Sequence, residues 1–396
     1  MGFTEFVILA AAMQALTALS MDAMLPALPA MGSDLQTINV NDVQLIVLTM
    51  MMGLALGHVL YGPLSDSIGR KPPIYLGFAV YTAGTLICLS SQTLDWMLCG
   101  RFLQGLGIAG PRLVMIAVVR DRFKGNQMAR VLSLVMTVFI MVPVLAPSLG
   151  QFLLEFFHWQ AIFWMFLLFS TIVCIWFHLR LKETLKQSKP FSIKGIQWGL
   201  AEILRSRRSL GYTLATGFLF SPMVAYISSA QQIYADVFGM EAEFPLIFGF
   251  LALGFGLASL FNARLVMRFG MRRIALTSAL LVTGFSFIFW LGLIGFGSRP
   301  ELWIYIAFMM LVFLGLGFLF GNLNALAMEP LGHIAGVGAS FIGFLSHLVA
   351  IPIGMLIGRA FDGTIMPQVS GQAFCFLAMV LSILWAESNP SGYQKA

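Results

Sequence analysis

Apolar stretches of about twenty residues alternate with short polar connections along the whole chain, the length an α-helix needs to cross a hydrocarbon core. Twelve spans are predicted, at 4–28, 43–63, 73–91, 94–118, 130–153, 161–181, 209–235, 245–264, 274–296, 301–328, 335–358 and 371–387, the last a short one that closes before Glu387 and Pro390. One long polar, basic stretch interrupts the pattern at 182–208. Within it Ile193, Ile196, Leu200 and Leu204 recur at helical spacing, as in a short helix lying on a membrane surface. The expected fold class is an all-α membrane protein with twelve transmembrane helices in two six-helix bundles. The bundles are residues 1–184 and 209–396, joined by a linker at 185–208.

A repeat supports two related halves. Gly62-Pro63-Leu64-Ser65-Asp66-Ser67-Ile68-Gly69-Arg70-Lys71 is a charged connection between the second and third apolar runs. A cruder copy, Arg264 to Arg273, follows about 200 residues later. Gly69 and Gly270 hold matching places, each followed by a basic pair. Paired halves in one bilayer are a common build of secondary transporters.

Composition agrees. The chain is 59% hydrophobic and 10% charged, where soluble domains carry about a quarter charged residues. The net charge of +6 therefore reports orientation in a bilayer, and no nucleic-acid partner is expected. Cys88, Cys99, Cys174 and Cys375 lack metal-ligand spacing and read as small apolar packing residues. The first run lacks the basic flank and cleavage site of a signal peptide, so it is read as an uncleaved span.

Lys and Arg concentrate in alternate connections: Arg70 and Lys71; Arg120, Arg122, Lys124 and Arg130; Arg180 through Arg208; Arg264, Arg268, Arg272 and Arg273. The intervening connections are acidic, apart from Arg299 and Arg359. This bias places both termini in the cytoplasm. The connection between the tenth and eleventh runs is an exception, with no Lys or Arg.

Charges within spans are few, and each marks a functional candidate. The first helix runs outward, so Asp22 lies about 25 Å along a core about 30 Å thick; the fourth runs inward, so Arg101 lies about 9 Å below the outer surface, and both fall in the outer third. The two are expected to pair, directly or through water. Arg112 follows Arg101 by three turns plus about 20°, so both arginines are expected to point into one polar cavity between the halves. There Arg112 would offer a fixed positive site for an anionic group; the alternative is a side chain that snorkels to the inner headgroups. A carboxyl such as Asp22 can gain and lose a proton as its exposure changes. Gln14, Tyr226, Gln231, Asn322, Asn324 and His347 complete the expected substrate cavity.

Several of these residues carry a resemblance. Gly62-x-x-x-Asp66-x-x-Gly69-Arg70-Lys71, Arg101-Phe102-Leu103-Gln104-Gly105 and Ala146-Pro147-Ser148-Leu149-Gly150 resemble shared motifs of the major facilitator superfamily. Asp22 with Leu25-Pro26-Ala27-Leu28-Pro29, Val119-Arg120-Asp121-Arg122-Phe123, Glu183-Thr184-Leu185 and Asn322-x-Asn324-Ala325-Leu326-Ala327 are similar to its Bcr/CflA branch of drug/proton antiporters. The resemblance implies an inner gate in which Asp66 holds a neighbouring helix end and Arg70 and Lys71 anchor at the surface. It implies proton transfer linked to Arg101, Gln104 and Gly105, and helix bending at Pro147 and Gly150. A monomer in a bacterial inner membrane is expected, exporting small organic compounds on the proton gradient without cofactor or metal. Departures are Ala146, Gln151, Gly321 and Arg112, which leave substrate and direction open. A carrier of an anionic metabolite or siderophore is the alternative within transporters, and a non-transporting sensor or scaffold the alternative outside them. An enzyme is disfavoured, because no cluster of catalytic groups or metal ligands is present.

Overall fold

A computed structural model describes residues 1–185, 192–297 and 299–388. The middle of the predicted linker, 186–191, and the end of the chain from 389, with Pro390, lie outside the described residues, as do the side chains of Ile193 and Ile196.

No β-strand occurs among the described residues. The helices are α1 (Phe3–Asp22), α2 (Leu28–Asp34), α3 (Gln44–Ile68), α4 (Lys71–Leu89), α5 (Leu94–Arg122), α6 (Gly125–Phe156) and α7 (Gln160–Arg180). Then follow α8 (Ile193–Arg205), α9 (Arg207–Gln232), α10 (Phe244–Phe269), α11 (Met271–Phe296), α12 (Leu302–Met328), α13 (Ala335–Arg359) and α14 (Met366–Glu387). Among the described residues twelve segments are long and apolar enough to cross a membrane, with α1 and α2 forming one of them, Phe3–Asp34. Each coincides with a predicted run. The helices extend past the apolar stretches, as α5 does to Arg122, because charged residues at a helix end do not break it and can reach headgroups. The last span is longer than predicted. Its first turn holds Pro367, where the missing N–H is an orphan position in any case.

The chain divides into two compact units: Met1–Ser192 with Met240–Leu253, and Ile193–Gly239 with Gly254–Ala396. In the first, α5 packs between α3 and α4, and α1 lies against α5, α6 and α7. In the second, α9 lies against α12, α13 and α14, and α11 against α12 and α14. The pairing of α1 with α6 and α7 thus recurs as that of α9 with α13 and α14.

The linker helix exists as α8 and belongs to the second unit. One face of it packs on α13. Gly199 packs on Val337 of α13 and Ile203 is fully buried, while Trp198 and Leu204 are exposed. Trp198 meets the ring of His333 edge-on, and His333 Nε2 lies 3.8 Å from Glu202 Oε1. Contact with α13, which local periodicity cannot register, selects the Gly199/Ile203 face.

Candidate functional site

The first span is broken. Pro26 and Pro29 have no N–H to donate to the carbonyls of Asp22 and Leu25, so α1 stops at Asp22, a single 3₁₀ turn (Leu25–Ala27) follows, and α2 restarts at Leu28. Such a break leaves the last carbonyls of α1 in need of donors. Asp22 is therefore the final residue of a helix that ends inside a membrane span. It is 5% exposed, and its carboxyl makes no hydrogen bond or ion pair to any described residue. Gly150 of α6 packs on Ala23, the next residue; a methyl at Gly150 would collide with the Ala23 carbonyl. Pro147 is buried one turn earlier in α6. The Ala146–Gly150 segment is thus seated against the broken end of α1.

Arg101 is fully buried and does not pair directly with Asp22, one of the two arrangements expected from the sequence. Its Nη2 donates to the Ser20 carbonyl at 3.0 Å, its Nε to the Ile46 carbonyl at 3.1 Å, and its Nη1 to Gln104 Oε1 at 2.7 Å. The end of α1 at Asp22 supplies the physical reason, since the Ser20 carbonyl lies in its last turn. A guanidinium at the carbonyl end of a helix satisfies an orphan acceptor and the end's partial negative charge together. Gln104 Nε2 in turn donates to Thr85 Oγ1 at 2.8 Å, and the hydroxyls of Ser20 and Tyr81 share a hydrogen bond of 2.6 Å. Gly105 brings the α5 backbone against α3, where a methyl would strike the Met50 carbonyl. Arg101 thereby ties α1, α3 and α5 together.

The expectation that Arg101 and Arg112 share a polar cavity also fails, since no part of Arg101 is exposed. Arg112 is half-buried, with its guanidinium over the Phe139 ring of α6 at 5.3 Å. Gln14 Nε2 donates to the Arg112 backbone carbonyl at 2.8 Å. The Arg112 side chain has no hydrogen bond or ion pair among the described residues.

At the α3–α4 junction the charged loop closes on itself. Gly69 ends α3 with φ +100°, a backbone region open essentially to glycine. Arg70 is the hub. Its Nε donates to Asp121 Oδ2 at 2.8 Å, and its Nη1 to Asp66 at 2.5 Å and to Ser65 Oγ at 3.0 Å. Ser65 donates to the Gly62 carbonyl at 2.9 Å. Burial pulls the Arg70 guanidinium down, and Asp121 and Asp66 more than reverse this, leaving it above its ordinary value. Asp66 therefore turns back on Arg70, and within this unit the neighbouring helix end is held by Glu183. The Glu183 carboxylate accepts from the backbone N–H groups of Arg70, Lys71, Thr184 and Leu185 at 2.8–3.0 Å. Partial burial pushes this carboxyl up, and the four donors pull it further down, to below its ordinary value. Lys71 Nζ donates to the Leu181 carbonyl at 2.8 Å.

Asp121 and Glu183 were legible only as parts of the Bcr/CflA-like motifs; their roles in this clasp appear only once residues more than fifty positions apart meet.

The predicted cavity residues of the second unit have mixed surroundings. Tyr226 is buried, its hydroxyl 3.4 Å from that of Tyr234. Gln231 is buried without a hydrogen bond among the described residues. Asn322 Nδ2 donates to Asn262 Oδ1 at 2.8 Å, and Asn324 Nδ2 to the Phe320 carbonyl at 2.9 Å. His347 donates through Nδ1 to the Gly343 carbonyl at 2.7 Å and stacks on Phe220. Nearby in sequence, Glu329 opens the connection that lacks Lys and Arg. Arg272 reaches it at 3.2 Å and Arg208 at 3.9 Å, so the missing basic residues are supplied from other elements.

A twelve-span helical chain of two similarly packed units, with charges spent inside its spans, has the build of a membrane transporter. The family model of the Major Facilitator Superfamily matches residues 10–355, and the chain belongs to that family. It is a multi-pass membrane transporter of small molecules and not an enzyme. It is 30% identical over 352 residues to the protein of Bacillus subtilis (strain 168) named uncharacterized MFS-type transporter YdgK, covering 86% of this chain and 85% of that one. It is 27% identical over 381 residues to the bicyclomycin resistance protein homolog of Haemophilus influenzae, covering 93% and 92%, in line with the Bcr/CflA resemblance. Among solved structures, a D-xylose–proton symporter superposes with a TM-score of 0.78 at 11% identity over 98% of both chains, a likeness of fold.

Proposed function

We propose that this transporter is proton-coupled and exports small organic compounds by alternating access, with Asp22 as the proton carrier. The observation that carries the reading is a buried carboxyl with no partner among the described residues, at the end of a helix broken inside a membrane span. An ionisable group placed there at such cost is functional by default. Arg101 acts as a positioning residue: it fixes the helix end that bears Asp22 without neutralising it. Gly150, packed on Ala23, is placed to transmit a bend of α6 to the same end. The clasp at 62–71 is the inner gating element. The name of the Haemophilus influenzae relative supports an organic, drug-like substrate. The basic bias of alternate connections supports a bacterial inner membrane with both termini cytoplasmic. The transporter works as a monomer of two six-helix bundles, and the proton gradient is its energy source.

Purified protein in liposomes with an imposed pH gradient tests the coupling. Asp22→Asn should abolish gradient-driven transport and leave substrate binding in place. Full gradient-driven transport by Asp22→Asn would refute the assignment.

A further inference from the structure

We infer that Arg112 is the receptor for a carboxylate on the transported compound, so that the substrates of this protein include organic acids. The inference rests on the transporter reading and narrows it.

Its basis is the contrast between two arginines of one helix. Arg101 spends its guanidinium on three protein acceptors. Arg112, eleven residues on, makes no side-chain hydrogen bond or ion pair among the described residues, although it lies within a membrane span and is half-buried. A charge left bare in such a place is costly, and it is retained where a ligand or pathway uses it. Snorkelling does not account for it. Arg112 is six residues, about 9 Å, from the end of the apolar run at 118, and helical side chains lean toward the N-terminus, away from that end.

The surroundings suit a planar anion. Phe139 lies against the guanidinium at 5.3 Å, and no acceptor among the described residues takes its N–H edge. That edge is a rigid fork whose geometry matches a carboxylate through two parallel hydrogen bonds. The Gln14 amide, bonded to the Arg112 carbonyl at 2.8 Å, ties α1 to this point of α5 and holds the residue in place. A cationic compound would be repelled and a neutral carbonyl would meet the fork with one oxygen and no charge; a carboxylate on an apolar body would meet both arms and neutralise it.

The test uses purified full-length protein in detergent at fixed pH and compares acids with their neutral amides: benzoate with benzamide, salicylate with salicylamide, 1-naphthoate with 1-naphthamide. Binding is read by thermal shift and equilibrium dialysis. Wild-type protein should prefer the acid of at least one pair by tenfold or more, since charge-assisted bidentate bonds are the strong ones. Arg112→Gln should remove that preference, while Arg112→Lys, a charge without the fork, keeps part of it. No acid preference in any pair, or a preference unchanged in Arg112→Gln, would overturn the inference. A second reading comes from liposomes under a clamped potential. One proton exchanged for one monovalent anion moves two charges per cycle, so the acid gradient should change tenfold per about 30 mV, against about 59 mV for a neutral amide. Dialysis uses no pH gradient, so loss of acid preference speaks to Arg112 and loss of driven transport speaks to Asp22.

Discussion

The α3–α4 and α10–α11 junctions use one backbone device with different electrostatics. Gly69 and Gly270 both take positive φ, +100° and +79°, and each launches the next helix. Around Gly69 the space is filled: a methyl there would lie 2.9 Å from Glu183 Oε2. Around Gly270 nothing lies within 4 Å. Arg70 has an 8% exposed side chain with three acceptors in contact. Its counterpart Arg272 has a 46% exposed side chain and reaches Glu329 at 3.2 Å and Glu387 at 3.8 Å. A repeat can preserve the turn while only one copy becomes a latch. The turn needs one glycine, whereas the latch needs Asp121 and Glu183 from distant helix ends.

The largest effect should come from removing the hub. Arg70→Ala leaves Asp121 and Asp66 facing each other without their cation and should cost about 3 kcal/mol. Arg272→Ala, at a more exposed pair, should cost about 1 kcal/mol or less. Thermal unfolding of the purified variants checks the order, and equal losses would mean the two junctions do not differ as described. Next come the glycines. Both lose about 1–3 kcal/mol on change to Ala from backbone strain alone. Gly69→Ala should lose more than Gly270→Ala, because its methyl meets Glu183. The same unfolding assay decides, and a larger loss at Gly270 would break the comparison.

The smallest effect concerns pH. Glu183 titrates below its ordinary value in the folded protein, so its contribution is fully present above the unfolded carboxyl range, about pH 4.3, and fades as pH falls through the folded value. Wild-type melting temperature should therefore fall on acidification below about pH 4.3, and Glu183→Gln should show a shallower fall over that window.

The helices and the turn glycines were legible because their causes are local: apolar run length, proline, and the φ that follows Ile68. The partners were not. Arg101 could be placed at the depth of Asp22 from spacing alone, but its acceptors are the backbone carbonyls of Ser20 and Ile46, which no residue letter displays. The presence of Asp22 and Arg101 suggested a salt bridge, and the helix break offered the guanidinium a neutral solution instead. Glu183 is 113 positions from the N–H of Arg70 that it accepts. The face that α8 buries depends on Val337.

The break after Asp22 has a consequence for depth. Two imino acids, not the carboxylate itself, decide how far into the bilayer this helix runs before its ladder of hydrogen bonds stops. They set the point at which the carbonyls of the last turn, Ser20 among them, are left to find donors outside the helix, and Arg101 answers one of them. Moving Pro26 one position toward the C-terminus would let the ladder run about 1.5 Å further and return an N–H to the Asp22 carbonyl, while Asp22 itself kept its place on α1. Proline thus works here as a ruler for where in the membrane a helix end, and the acceptors it exposes, are placed.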